Sequence, residues 1–219
     1  MKRSLLYLWL TLTLIYAVFY LWHTPLRGPL TSHEIESNLA KMEMGDGVNG
    51  TITPELVRFF ETDDGQSFYM FILNNFSEEA NYPDGLYPEI KTGAEAAALY
   101  NQFVAAALIR RGSYPFFATQ KIESIVNTLD EDAEFFEAAT IVRYRSRRDF
   151  LELVTSDGFI EAEVHKWASL ENTVVSPSSR LFLLDMSGVL QLILLVIGSM
   201  GTIVIALRSE RKLSDLAKV

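Results

Sequence analysis

The chain has 219 residues, a formal net charge of −9, and 49% hydrophobic residues. That length suffices for one domain with its own core plus further segments. The acidic balance argues against nucleic acid and anionic lipid surfaces as partners, and the absence of cysteine excludes disulfides and thiol chemistry.

The first element is the apolar run Leu5–Trp22, LLYLWLTLTLIYAVFYLW. As a helix it has the length needed to cross a hydrocarbon core of roughly 30 Å, and inside lipid the backbone must bond within its own segment. Lys2 and Arg3 precede it, and Tyr7, Trp9, Tyr16, Tyr20 and Trp22 suit membrane interfaces. The rival is a cleaved signal peptide. The run is longer than a typical signal core, and no A-x-A-like site precedes His23-Thr24-Pro25, so residues 1–24 are expected to stay as a signal-anchor.

Residues 25–64 are expected to form a helical stalk. Thr31 and Glu34 make a capping box that opens a polar helix over 32–44, and Thr53-Pro54 opens a short one over 54–62. A domain follows over 65–178. Its first strand is 67–74, and the loop 77–92, with Pro83, Gly85 and Pro88, is long enough to act as a lid or contact surface. Thr92 and Glu95 open an alanine-rich helix over 94–111 that Gly112 ends. Strand 114–119 carries Pro115, which suits an edge. The acidic turn of Asp130, Glu131, Asp132 and Glu134 lacks the glycine and oxygen spacing of a calcium loop. Strand 138–145 leads to a third box, Ser146 with Asp149, and to helices 147–156 and 159–168 divided at Asp157-Gly158; strand 171–176 closes the domain. The order β-α-β-β-α-β is the ferredoxin-like α+β arrangement.

The last apolar run, Val189–Leu207, lies in a second membrane helix over 181–207, followed by a tail over 208–219 with Arg208, Arg211 and Lys212. Positive charge at both ends puts both termini in the cytoplasm and the domain across the membrane, the periplasm for a bacterial inner membrane. Residues 28–180 hold 25 Asp+Glu against 12 Lys+Arg, a net 12 − 25 = −13. The second membrane helix is unlike a plain anchor. Gln191 is polar, Gly198 and Thr202 have small-xxx-small spacing, Gly201 is also small, and Asp185 lies just before the apolar run. Such residues let helices approach closely or face a partner.

Alternation along strand 67–74 sets Phe68, Met70 and Ile72 on one face and Tyr69, Phe71 and Leu73 on the other. Helices cover one face of a ferredoxin-like sheet, so the second apolar face needs another cover, and a second copy of the chain is the first candidate.

Residues 140–177, TIVRYRSRRDFLELVTSDGFIEAEVHKWASLENTVVSP, resemble the C-terminal half of an uncharacterised bacterial family of the dimeric α+β barrel superfamily. The resemblance rests on Arg143, Tyr144, Ser146, Arg147, Phe150, Asp157, Phe159, His165, Leu170 and Glu171. Residues 65–120 match by pattern alone, and the membrane segments lie outside it. It implies two sheets packed face to face in a dimer. It does not fix an activity, because the superfamily holds monooxygenases, haem enzymes, muconolactone-type isomerases and proteins of unknown function.

Candidate site residues follow from these placements. Arg143 and Arg145 share a strand face, and in the space between sheets they could clamp a carboxylate or phosphate, or pair with acids of a partner subunit. His165, the single histidine of the mid-domain, could ligate haem iron or act as a base. Tyr69, Phe71, Phe103, Tyr114, Phe116, Phe117 and Trp167 could line an apolar cavity or form core. No convergent catalytic or metal set is evident; haem is the one cofactor the resemblance brings into view. The sequence is read first as a non-catalytic, membrane-anchored interaction module acting as a homodimer or as a subunit of a membrane assembly. The alternative is a small-molecule or haem enzyme using Arg143, Arg145, Tyr114 and His165.

Overall fold

A computed structural model describes residues 2–44, 52–122, 136–178 and 186–216. Asp185 and the acidic turn at 130–134 lie outside these residues. The chain divides into two compact units, Pro25–Arg180 and a second made of Met1–Thr24 with Leu181–Val219.

The larger unit is mixed α+β. Its elements are α2 (Ser32–Met44), α3 (Pro54–Glu61), β1 (Phe68–Phe76), α4 (Gly93–Arg110), β2 (Tyr114–Gln120), β3 (Ala138–Tyr144), α5 (Arg147–Val154), α6 (Asp157–Ser169) and β4 (Leu170–Ser178). The helix starts follow local chemistry. The Thr31 hydroxyl accepts from the Glu34 amide while the Glu34 carboxylate takes the Thr31 N–H. Thr92 and Glu95 close the same reciprocal pair at α4, and Thr53 accepts from Leu56 with Pro54 in the first turn of α3. Gly112, at φ 67°, ends α4 in a conformation that suits glycine.

The four strands form one antiparallel sheet in the order β2-β3-β1-β4, with β2 at an edge and its register shifted between Pro115 and Phe117. Pairing of Phe68 with Tyr144, and of Met70 with Val142, puts these side chains on one face. That face meets Ala107 and Leu108 of α4, Leu153 of α5 and Phe159 of α6 in the main core. The Phe68 and Tyr144 rings stack with centroids 5.1 Å apart.

Two expectations are corrected here. Residues 25–64 are not a separate stalk. Ile35 of α2 and Phe60 of α3 form a second core with Leu151 of α5, and Arg148 of α5, itself buried, pairs with Glu34 and donates to the Pro29 carbonyl. The break between α5 and α6 falls at Thr155-Ser156, so Asp157 and Gly158 belong to the first turn of α6. Gly158 serves close packing, because a Cβ there would lie 2.9 Å from the Phe103 ring.

The smaller unit pairs α1 (Lys2–His23) with α7 (Met186–Leu216). Both contain stretches long and apolar enough to cross a membrane, with mean hydropathies of 1.8 and 2.4. Leu6, Leu10, Leu14, Leu192, Val196 and Ile203 are exposed on their outer surfaces.

Candidate functional site

The second sheet face is built by strand alternation. Tyr69 pairs with Arg143, Phe71 with Ile141, and both Leu73 with Val174 and Phe117 with Ile141, so these residues all point away from the main core. The hydrophobic clusters of the described residues draw no strand residue from this face. Phe71 is 41% exposed, Phe116 41%, Phe117 49% and Val174 42%. At the bulge, Phe116 meets Tyr69 edge-on at 6.1 Å. The result is an apolar strip across three neighbouring strands and the edge strand's bulge.

Arg143 lies in this face but is 4% exposed. Its guanidinium donates to the Gly112 carbonyl at 3.1 Å and sits 5.5 Å from the Tyr114 ring centroid. It therefore secures the α4–β2 turn beneath the strip. Arg145 does not join it in a clamp. Its Nε donates to Asp149 at 2.9 Å, and the Asp149 carboxylate also receives the Ser146 hydroxyl. This bond, made across the start of α5, raises the Arg145 pKa. The residue is committed to holding the β3–α5 junction.

His165 lies elsewhere, on α6 beneath the loop 77–92. Its Nδ1 is 2.7 Å from the Tyr82 hydroxyl, and its ring centroid is 4.7 Å from that of Tyr87. Burial lowers its pKa. The loop neck is closed by Ser77 N–H to Ser169 O at 3.0 Å and Ala80 N–H to Lys91 O at 2.8 Å. His165 thus pins a loop. The proposed aromatic set is also divided. Tyr69, Phe71, Tyr114, Phe116 and Phe117 share the strip's side of the sheet, whereas Phe103 packs at the edge of the main core. Trp167 donates from Nε1 to Glu163 within α6 at 2.9 Å. Of the set Arg143, Arg145, Tyr114 and His165, Arg143 and Tyr114 come together, while the Arg145 side chain and His165 are engaged elsewhere.

A cavity of about 310 Å³ lies on the helix side instead, between α4 and the sheet. Tyr100, Asn101, Thr140, Tyr144 and Lys166 line it with apolar walls. The alanines of α4 are small as well as strong helix formers. Their positions Ala97 and Ala105, on the same face as Asn101, are where larger side chains would have filled the space over the strands.

In the smaller unit, a Cβ on Gly198 would lie 2.5 Å from the Trp9 ring and one on Gly201 2.8 Å from Leu8. The two small residues accommodate the first helix. Thr202 turns its hydroxyl to the Gly198 carbonyl of its own helix at 2.8 Å, and Gln191 is exposed.

No known protein family matches the chain, and no curated protein is similar to it. Among solved structures it is similar to RPA0582 of Rhodopseudomonas palustris, a protein of unknown function. That match has 24% identity and a TM-score of 0.52, and covers 60% of this chain and 95% of the other. The methylated form of RPA0582 matches with 25% identity and a TM-score of 0.53, over 61% and 95% of the two chains.

Proposed function

We propose that this chain is a membrane-anchored interaction module whose ferredoxin-like domain pairs with a second copy through the sheet face opposite the main core. The apolar strip of Phe71, Phe116, Phe117 and Val174 carries this reading. Exposed apolar surface of this kind marks an interaction site, and a two-fold axis lets the same patch serve both copies. The β-α-β-β-α-β order with sheet order β2-β3-β1-β4 supports the ferredoxin-like assignment. The match to RPA0582 supports a shared fold and gives no activity. Under this reading α1 and α7 are the anchors, both termini are cytoplasmic, and the domain stands in the periplasm of a bacterial inner membrane. Arg143 meets Tyr114, but the Arg145 side chain turns to Asp149 and His165 to Tyr82, which counts against the enzyme built from all four.

The test is the mass of the full chain in mild detergent by light scattering. The expected protein mass is twice 24.8 kDa, falling to the monomer in Phe71→Asp and Phe117→Asp. A monomeric parent, or a dimer indifferent to both substitutions, refutes pairing through this face. A different membrane protein co-purifying in equal amount would replace the second copy by a heteromeric partner.

A further inference from the structure

The cavity under α4 stands out electrostatically. Its lining contains no Asp, Glu or Arg and one Lys, in a chain of net charge −9. Its floor is the sheet's first face, with Thr140, Val142 and Tyr144 at alternate positions of β3. Val104 and Leu108 of α4 and Ile72 of β1 supply apolar walls, while Asn101 and Ala105 are exposed and mark the mouth.

Three residues of this lining carry a donor group: Lys166 an ammonium, and Tyr100 and Tyr144 a phenol hydroxyl each. Lys166 Nζ lies 4.7 Å from the centroid of the Trp167 ring. Among the described residues it makes no salt bridge and no hydrogen bond. Neither phenol has a hydrogen-bond partner among them. Tyr144 is buried. Among the described residues the buried side-chain atoms that lack a partner are Arg147 Nε and Arg148 Nε, so these three donors stay within reach of solvent, and the oxygens of a ligand would take the place of water at them. An ammonium and two hydroxyls match the oxygens of one carboxylate, and the remaining walls match an apolar body.

We propose that this cavity is a binding site for a small, mostly apolar carboxylate, received by Lys166, Tyr100 and Tyr144. Its volume of about 310 Å³ limits the ligand to a compact molecule. Burial lowers the Lys166 pKa, whereas the Glu163 charge opposes that shift. A bound carboxylate would favour the charged amine, so binding and protonation are linked. This site lies across the sheet from the pairing face and does not depend on it.

The test uses the full chain in mild detergent with 2-naphthoate as probe and 2-naphthalenemethanol as its neutral counterpart, both followed by titration calorimetry. The expected result is saturable binding of the carboxylate in preference to the alcohol, weakening as pH rises. Lys166→Met should weaken it about tenfold or more, the scale of one charge-assisted hydrogen bond, and remove the pH dependence. Ala105→Trp, at an exposed helix position, should block the mouth without loss of thermal stability. Phe71→Asp on the opposite face should leave binding intact whatever it does to the oligomer. No saturable binding by the parent overturns the proposal. So does an affinity that Lys166→Met leaves within about twofold of the parent, or binding that Ala105→Trp does not change.

Discussion

Helices α2 and α3 are part of the domain's cooperative fold, and Phe60→Ala tests this directly. Phe60 is completely buried, among Ile35, Leu151, Leu30, Leu39 and Leu56. Its ring centroid lies 5.4 Å from that of Phe59 and 6.0 Å from that of Phe150. Phe150 also meets Phe68 and Tyr144, so the second core adjoins the first through shared aromatic contacts. Removing a fully buried phenylalanine ring costs about 3–5 kcal/mol, from lost transfer energy and the cavity left behind. For a unit of this size each kcal/mol lowers Tm by about 2–4 °C, giving a fall of roughly 6–20 °C. The assay is thermal unfolding of the full chain in mild detergent, followed by near-ultraviolet circular dichroism, with Leu39→Ala as a milder change in the same cluster. A single transition displaced by that amount is expected. An unmoved main transition, or a separate early step that alone shifts, would refute the inclusion of α2 and α3 in one fold.

Further outcomes follow from individual contacts. Gly93→Ala should destabilise by about 1–3 kcal/mol despite alanine's better helix propensity. Its Cβ would stand 2.2 Å from the Ser77 carbonyl and 2.9 Å from that of Ser169, both backbone; a neutral or raised denaturation midpoint would contradict this packing. The Thr31 amide and hydroxyl, with Arg148, hold Glu34 at a pKa of about 2 against an ordinary 4.5. Its contribution is therefore present above 4.5 and lost as pH falls towards 2, and Glu34→Gln should flatten acid unfolding in that window. His165 has a lowered pKa, so the unfolded chain takes its proton first and stability drops as pH falls through the ordinary value of about 6.5. Amide exchange over 82–90 should quicken there, and His165→Gln should remove the pH-dependent part; exchange that stays constant after correction for intrinsic rates would count against the loop clamp. Gly198→Leu would drive a side chain into the Trp9 ring. Crosslinking between Leu8→Cys and Gly201→Cys should then lose yield, and an undiminished yield would reject close packing of the two helices.

Local chemistry was sufficient for the helix starts and the approximate strands. Thr31, Thr53, Thr92 and Ser146 sit at or beside helix starts because capping is a bargain among neighbours in the chain. Period-two alternation likewise separates Met70 from Phe71 whatever the strand pairing. The membrane-length helices follow from composition alone. The long-range partners did not. Arg143 and Arg145 share an expected strand face, yet one reaches the turn at Gly112 and the other turns back to Asp149. His165 gained Tyr82 from a loop 83 residues away. The polar pattern of 32–44 suggested a free stalk because Ile35 and Leu39 look sparse until Phe60 and Leu151 come to meet them. The alanines of α4 read as helix formers, and only the sheet opposite shows that their small volume leaves a cavity with Tyr100, Tyr144 and Lys166 in its lining. Backbone preferences and alternation act over a few residues, and the sequence therefore specifies them by itself. Which side chains meet, and what space remains between them, depends on elements brought together from distant parts of the chain.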